Sequence, residues 1–288
     1  AALVIVGGLK RIASVTEKLV PFMAIIYIIG TLVIFIINIG QCGAIFSAIF
    51  KGAFGLRAVG GGIVGSGIKL ALTWGMKRGV FSNEAGLGSS VMVHSNSNVK
   101  EPVRQGMWGI FEVFADTIVV CTLTAFAVLS SDLVDLETGA VLSTSEGSAL
   151  VGEAFSTVFG KAGPAFIALA ILLFAFSTVL GWSHYGSKAW EYLFNTKSTI
   201  IYKIVFIVMI YEGAVMKQNL AWDLSDTFNG LMAIPNLIGV LSLSPIVVKI
   251  TKNYVARNIK KEDVKPILSV FPDIEEAHIK EMKEQQEI

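Results

Sequence analysis

The chain has 288 residues, of which 53% are hydrophobic and only 16% are charged, whereas soluble domains carry roughly 25% charged residues. Its 23 lysine and arginine residues nearly balance 22 aspartate and glutamate residues, so the composition excludes a basic protein that binds nucleic acid. The long apolar blocks also exclude a disordered chain. The sequence therefore predicts an all-α integral membrane protein in contact with the lipid bilayer.

Long uncharged runs predict the membrane spans, because a helix that crosses a bilayer needs about 20 mostly apolar residues. Residues 1–7 resemble the end of an earlier span, and the apolar piece at 45–54 is predicted to lie along an interface or under a loop. The spans themselves are predicted at 19–39, 108–130, 162–187, 198–215 and 227–248. Pro235 predicts a kink in the last span or a hairpin in its place, and we expect an acidic outer loop at 131–160.

The segment 60–98 does not fit a simple span. It reads as a helix over 68–74 and then becomes polar and glycine-rich up to Ser90. Further glycines stand at its start, at Gly60, Gly61, Gly62, Gly65 and Gly67. This pattern predicts two half-helices around a break. Non-helical backbone at membrane depth persists only where protein buries it or where it lines a cavity, and in secondary transporters such interrupted segments mark the binding site.

Basic residues beside the spans predict the orientation of the chain. Sixteen of the 23 lysines and arginines lie in the segments 8–18, 99–105, 188–203 and 249–288, which we expect to be cytoplasmic. We therefore divide the chain into a transmembrane transporter core at 1–250 and a cytoplasmic helical tail at 251–288. Because the chain starts inside an apolar stretch and without Met, we expect further N-terminal helices before it.

Two acidic side chains interrupt the span at 108–130. Glu112 and Asp116 are four residues apart, so they share one face of a helix. An ionisable group inside a membrane is a functional hypothesis by default, and Asp116 is predicted to coordinate a cation or to carry a proton. The structural alternative is a buried ion pair with Lys77 or Arg78.

Adjacent hydroxyl residues stand in the middle of the span at 162–187. Ser177 and Thr178 offer oxygen ligands of the kind that small cations prefer. Trp182, four residues after Thr178, shares its helical face and is suited to wall a pocket or to bind an ammonium group through its ring. The structural alternative is that the hydroxyls hydrogen-bond to their own helix.

The break in the segment 60–98 matches a substrate that carries both a carboxylate and an amine. Free backbone N–H groups at the start of a half-helix after Gly86 favour a carboxylate, and the last carbonyl groups of the preceding half favour a cation or an ammonium group. The sequence contains no catalytic motif, and His94, His184 and His278 are isolated in it. We therefore predict neither an enzyme nor a cofactor, apart from a coupling ion.

Residues 75–89 read GMKRGVFSNEAGLGS and closely resemble the signature of the alanine/glycine:cation symporter family, also called the sodium:alanine symporters. The likeness continues in order through five further segments, at 20–24, 105–106, 114–122, 181–186 and 229–237. The family is rich in alanine after the signature, whereas this chain has Ser90, His94, Ser95, Asn96 and Ser97, which leaves the choice of substrate open.

The resemblance implies a leucine-transporter-like fold of two inverted five-helix repeats, of which this chain resembles the second repeat and the end of the first. By the same analogy Phe81, Ser82 and Asn83 lie beside the substrate, and Gly86 starts the inner half-helix. In this comparison the substrate site also includes Thr178 and Trp182. The implied sodium ligands are Ser177 and Thr178, with Asp116 in a second cation site.

The function that the resemblance implies is sodium-coupled symport of a small neutral amino acid, alanine or glycine, by alternating access. The expected partners are the amino acid, sodium and the bilayer, and the expected location is the plasma (inner) membrane, crossed several times, with the tail in the cytoplasm. Two alternatives stay open. One is a proton-coupled amino-acid carrier that uses Glu84 or Asp116, and the other is a truncated membrane fragment that does not transport.

Overall fold

A computed structural model of the protein describes residues 1–54 and 64–284, and within these ranges the chain is almost entirely helical. The α-helices are α1 (Ala2–Val6), α2 (Gly8–Ile37), α3 (Cys42–Ala53), α4 (Val64–Ser82), α5 (Val91–His94), α6 (Pro102–Val113), α7 (Cys121–Leu129), α8 (Gly147–Phe159), α9 (Ala162–Leu193), α10 (Thr199–Val215), α11 (Gln218–Tyr254) and α12 (Pro272–Glu284). Short 3₁₀ turns lie at Ile39–Gln41 and Thr196–Ser198, and π-helical segments at Phe114–Val120 and Val255–Ile259. An isolated antiparallel bridge joins Val134 to Val141.

Five helical stretches in the described ranges are long and apolar enough to cross a membrane. They are Lys10–Ile37, Pro102–Leu129, Ala162–Leu193, Thr196–Val215 and Gln218–Ile259. Each contains or closely matches one predicted span, which confirms an all-α membrane protein with several crossings. The last stretch continues as one helix through Pro235 and Pro245, so the alternative of a hairpin at Pro235 is wrong.

The predicted break is shorter than the sequence pattern indicated. Helix α4 continues past the expected end at Trp74 to Ser82, because glycines are tolerated inside membrane helices. The non-helical backbone therefore begins at Asn83. The following helix, α5, begins at Val91 and has only four residues, so the prediction that a half-helix starts at Gly86 is wrong. The glycines at 60–62 lie outside the described residues.

Two other segments differ from the sequence pattern. The predicted acidic loop at 131–160 contains helix α8, which forms a hairpin with α9. In the tail, residues 261–269, predicted as helix-forming, are not helical, and helix α12 begins only at Pro272. Proline is favoured in the first turn of a helix, where its missing N–H costs nothing, and Asp273 and Glu275 stabilise the positive end of the helix dipole.

The chain forms two compact units. The first unit comprises Ala1–Gly79 and Asp116–Ala221, and the second comprises Val80–Ala115 and Trp222–Ile288. Each unit therefore combines two segments that are far apart in sequence, and each is described below by itself.

The core of the first unit lies where α2, α7, α8 and α9 meet. Tyr27, Ile34, Phe155 and Ile167 are buried there, and the Phe155 ring stacks on the ring of Phe166 with 5.5 Å between centroids. A Cβ atom on Gly163 would lie 2.6 Å from the backbone of Phe155. The absence of a side chain at this position allows the two helices to approach closely, as is typical of packed membrane helices.

Helices α10 and α11 expose most of their apolar side chains. The most apolar windows of the two corresponding spans contain no buried residue, and Ile204, Val208 and Leu241 are among the exposed side chains. In water such surfaces would be unfavourable. Lipid solvates them, and the helices satisfy their own backbone hydrogen bonds, so these faces fit a bilayer.

Candidate functional site

The sequence-predicted site residues fall into two groups, one in each unit. Asp116, Ser177, Thr178 and Trp182 belong to the first unit, and residues 81–86 belong to the second. The structure describes the local surroundings of each group. The roles of these residues stay predictions.

Asp116 lies in the π-helical segment Phe114–Val120. π-helical turns are rare overall, but those that occur often lie at functional sites. The inserted residue interrupts the regular hydrogen-bond pattern of the helix and redirects side chains. The sequence pattern did not predict this feature, because apolar length indicates a helix without distinguishing α-helical from π-helical turns. Asp116 is half-buried and lies within this π-helical segment.

The Asp116 side chain borders a cavity of about 330 Å³ in the first unit. The lining is mainly apolar and consists of Tyr27, Asp116, Val120, Ser148, Val151, Ile167, Ala170, Ile171 and Phe174. Carboxylate oxygens are ligands of the kind that small cations prefer, and a carboxylate inside a membrane is also a candidate proton carrier. The cavity therefore suits the cation or proton chemistry predicted for Asp116.

A hydrogen bond between helices fixes the tyrosine of this cavity. The Tyr27 hydroxyl lies 2.7 Å from Thr124 Oγ1, and the Thr124 hydroxyl donates to the carbonyl of Val120 over 2.8 Å. Since the Thr124 proton is used in that bond, Tyr27 donates and Thr124 accepts. The pair connects α2 to the end of the π-helical segment. Sequence reasoning missed Tyr27, although a tyrosine inside an apolar span is itself a signal.

The Ser177 hydroxyl bonds to its own helix, as the structural alternative predicted. Its Oγ donates to the carbonyl of Phe174 over 2.9 Å and lies 3.7 Å from the sulfur of Met23. The donated proton leaves lone pairs on Oγ that are still able to accept or to ligate a cation. Phe174 lines the cavity next to Asp116, so Ser177 is anchored less than one helical turn away from it.

Thr178 and Trp182 lie on another face of α9. Thr178 is exposed and Trp182 is half-buried, with its ring edge-on to Tyr185 at a centroid distance of 5.6 Å. Neither residue is among the described residues that line the cavity beside Asp116. The structure therefore separates the predicted cation ligands of the first unit: Asp116 lines the cavity, Ser177 is bonded to the cavity-lining Phe174, and Thr178 lies on another face of α9.

The break in the second unit has an unusual backbone. After α4 ends at Ser82, Glu84 has a φ of 49°, Gly86 of 80° and Gly88 of 78°. Left-handed backbone is uncommon for a residue other than glycine and costs about 1–3 kcal/mol, and it clusters at functional sites. The signature therefore encodes a defined, strained turn, which we call the polar break (residues 83–90).

Two contacts hold the polar break. The Ser89 hydroxyl donates to Glu84 Oε2 over 2.6 Å, and Ser89 is 1% exposed. A Cβ atom on Gly88 would lie 2.6 Å from the side-chain oxygen of Asn236, and one on Gly86 would lie 3.6 Å from Leu237. The motif at 229–237 in α11 thus packs directly against the motif at 75–89.

The end of α4 at the polar break has the electrostatics of a site for a positively charged group. The last carbonyl groups of α4 have no partner within the helix and carry the negative end of its dipole, which favours a cation or an ammonium group. Phe81 and Ser82 are exposed beside this end and Asn83 is half-buried, while the Phe81 ring lies 5.4 Å from the ring of Trp222. No half-helix begins at Gly86, so the N-terminal dipole predicted there for a carboxylate is absent from the described residues.

Polar side chains after the break form contacts that the sequence did not reveal. His94 Nδ1 lies 2.7 Å from the Gln105 side-chain nitrogen, and its Nε2 lies 3.4 Å from Glu112, which is 58% exposed.

Lys77 and Arg78, the alternative partners proposed for Asp116, lie over the ring of Trp74 at 5.8 and 5.3 Å. Within the described ranges, no three or more His, Cys, Asp and Glu side chains are grouped to hold a metal ion.

Comparison with known proteins gives a consistent result. The model of the sodium:alanine symporter family matches residues 1–268. The sodium/alanine symporter AgcS of Methanococcus maripaludis is 41% identical over 92% of this chain and 56% of its own length. The probable sodium/glutamine symporter GlnT of Bacillus subtilis is 37% identical over 96% of this chain and 55% of its own length.

A further relative carries a different description of its coupling ion. The putative sodium/proton-dependent alanine carrier protein YrbD of Bacillus subtilis is 32% identical over 92% of this chain and 56% of its own length. The chain therefore spans little more than half of the length of these relatives.

Proposed function

The chain belongs to the sodium:alanine symporter family, which consists of transporters and not of enzymes, and from this premise we propose that the protein carrying it performs sodium-coupled symport of a small neutral amino acid. The substrate is alanine or glycine, and the mechanism is alternating access in a leucine-transporter-like fold of inverted repeats. The protein crosses the plasma membrane several times, and its tail at 251–288 faces the cytoplasm. Sodium is the coupling ion, and no other cofactor takes part.

The observation that carries this proposal is the polar break. Its left-handed backbone at Glu84, Gly86 and Gly88 lies at the carbonyl end of α4, within the family signature. Such interrupted helices supply the substrate and ion sites of secondary transporters. We assign the amino group of the substrate to this end, beside Phe81, Ser82 and Asn83, where the helix dipole favours an ammonium group.

The first unit supplies the groups that we assign to sodium. Ser177 and Thr178 offer hydroxyl oxygens, and Asp116 offers a carboxylate at the cavity wall.

Uptake by the full-length protein in proteoliposomes tests the proposal. With an inward sodium gradient, labelled alanine should accumulate in the vesicles, and replacing external sodium by choline should abolish the accumulation. Labelled glutamine serves as the competing substrate, because one similar protein is described as a probable sodium/glutamine symporter. Alanine uptake that is unchanged in choline would contradict sodium coupling, and preferential uptake of glutamine would contradict the assigned substrate class.

Replacement of Thr178 by Val tests the sodium assignment at equal side-chain volume. The variant should need about tenfold more sodium for half-maximal uptake, the change expected for loss of about 1.4 kcal/mol of binding free energy. Thr227→Val is the matched control, because the Thr227 hydroxyl bonds to its own helix at Asp223. An unchanged sodium requirement in Thr178→Val would remove Thr178 from the site.

Proton coupling is the second candidate, and the position of Asp116 in a mainly apolar cavity lining favours it. A carboxylate in such surroundings is able to carry a proton between two sides of a membrane. Uptake measured at fixed pH with and without sodium distinguishes the two candidates. Uptake that follows an inward proton gradient in sodium-free buffer, and that is lost in Asp116→Asn, would support the proton-coupled carrier.

A further inference from the structure

Residues 261–269, which are not helical, are held at the end of α11 through Asn253. The Asn253 side-chain nitrogen donates to the carbonyl of Lys265 over 2.8 Å, and its oxygen accepts from the N–H of Ile267 over 2.9 Å. Leu268, next in the chain, is 2% exposed. One side chain at the end of α11 thus satisfies two backbone groups of an extended segment.

The same asparagine is connected to the segment that follows the polar break. Arg257 Nε donates to Asn253 Oδ1 over 2.9 Å, and Arg257 Nη2 donates to Glu101 Oε1 over 2.7 Å. Both charged side chains are largely removed from solvent, with exposures of 10% for Arg257 and 4% for Glu101. A single guanidinium therefore connects the tail, the end of α11 and the residue that precedes α6.

Glu101 depends on this contact. Its other oxygen, Oε2, is buried and has no hydrogen-bond partner among the described residues. A buried carboxylate needs compensation by a charge and by hydrogen bonds, and the Arg257 guanidinium supplies both to Glu101. Removing the guanidinium would leave the carboxylate uncompensated, so the segment around Glu101 would move until water reached it.

A third contact joins the chain after the break to α12, beside a polar cavity. Lys100 forms an ion pair with Glu281 of α12. Between α12 and the chain after the break lies a cavity of about 540 Å³, whose lining includes Ser90, His94, Lys100, Gln105 and His278. Ser90 is the last residue of the polar break, so the tail borders the same space as the break itself.

We propose that residues 253–281 form a tail clamp, which positions the polar break through the Arg257–Glu101 pair and thereby sets the affinity of the transporter for its amino acid. The inference rests on the proposed function and adds its regulation. Arg257 and Glu101 are positioning residues, since they act on the substrate only through the break. The clamp holds the 90–101 segment against α11 and α12, and its release loosens the break that binds the amino group.

Charge reversal tests the clamp in the full-length protein. Arg257→Glu and Glu101→Arg should each raise the KM for sodium-driven alanine uptake by about fivefold or more, with a maximal rate per folded protein within about twofold of the parent. The double reversal restores the pair and should return KM to within about twofold of the parent value. Lys197→Glu, the same charge change at an exposed position outside residues 253–281, is the control and should leave KM unchanged.

Two outcomes of this experiment would overturn the clamp. The first is an unchanged KM in both single reversals, and the second is a double reversal that stays as impaired as the single ones. A merely structural role would lower the amount of folded protein, and hence the maximal rate, without changing KM. If the reversals do not fold, Asn253→Ala and Arg257→Lys, which remove or weaken single contacts of the clamp, should raise KM in the same direction, and an unchanged KM in both would overturn the proposal.

A labelling experiment separates the clamp from the proposed function. The variant Ser90→Cys, made together with Cys42→Ala and Cys121→Ala, carries one reactive thiol. This thiol should react with a soluble maleimide about fivefold faster when Arg257→Glu is added, because release of the 90–101 segment exposes it. If the parent protein shows no sodium-driven uptake, the proposed function fails while this measurement still tests the clamp. Equal labelling rates with and without Arg257→Glu would contradict the clamp whatever the substrate.

Discussion

The core around Phe155 in the first unit and the polar break in the second are built from different interactions. The core consists of regular helices whose aromatic rings and glycines interlock, as at Phe155 and Gly163. The break has left-handed backbone and is held by a hydroxyl–carboxylate bond and a close contact with Asn236. Packing of this kind resists displacement, whereas a strained turn held by a few polar contacts is free to change with its partners. The comparison indicates that the core provides the scaffold of the first unit, and the break is the region to which we assign ligand binding in the second.

The largest predicted effect concerns stability and lies in the core. Phe155→Ala should lower the free energy of unfolding by about 3–5 kcal/mol, because it removes a fully buried ring and leaves a cavity. Phe228→Ala, at an exposed position of α11, is the control and should change stability by no more than about 0.5 kcal/mol. Thermal unfolding of the purified protein measures both. Equal losses in the two variants would contradict the distinction between a packed core and a lipid-facing surface.

The next effect separates function from stability at the polar break. Gly88→Ala adds a methyl group at a left-handed position, which costs about 1–2 kcal/mol, and pushes it into Asn236. Alanine uptake should fall about tenfold or more while the protein still folds, since the strain falls on the turn to which we assign the substrate. Gly239→Ala in α11, where a Cβ meets no neighbour within 4 Å, should transport normally. Normal uptake by Gly88→Ala would show that the turn is not needed in this conformation.

Much of this comparison follows from the sequence, and the rest depends on contacts between distant residues. The spans follow from uninterrupted apolar length, and the position of a break near residue 83 follows from the polar, glycine-rich signature. The helix beyond Trp74 was not predicted, because glycine is a poor guide to helix ends inside a membrane. The π-helical turn at Asp116 has no counterpart in the apolar pattern of the sequence. The non-helical segment 261–269 is held by hydrogen bonds to Asn253, which leave no local pattern in the chain.

The smallest predicted effect concerns the outer contact of the tail. A hydrogen bond from Lys100, together with its positive charge, lowers the pKa of Glu281 below its ordinary value of 4.5. A carboxylate with a lowered pKa stabilises the folded arrangement above its ordinary pKa, and this contribution is lost as the pH falls through the lowered value. Hydrogen exchange of the α12 amides should therefore become slightly faster below about pH 4.5, relative to the intrinsic exchange rate, than at neutral pH.

Lys100→Met provides the control for this effect. The variant lacks the partner that lowers the pKa of Glu281, so most of the pH dependence of α12 protection should disappear. Because the pair is exposed to solvent, its contribution is small, well below that of the buried Arg257–Glu101 pair. A pH dependence that is equally large in Lys100→Met would show that another group controls the docking of α12.

We expect the polar break to bind an amino acid in a sodium-dependent manner, and a binding measurement checks this. Binding of labelled alanine to the purified full-length protein should be saturable in sodium and should weaken at least about tenfold when choline replaces it. Gly88→Ala should lose this binding and Gly239→Ala should keep it. Alanine binding that is equally tight in choline, or that survives unchanged in Gly88→Ala, would contradict the account.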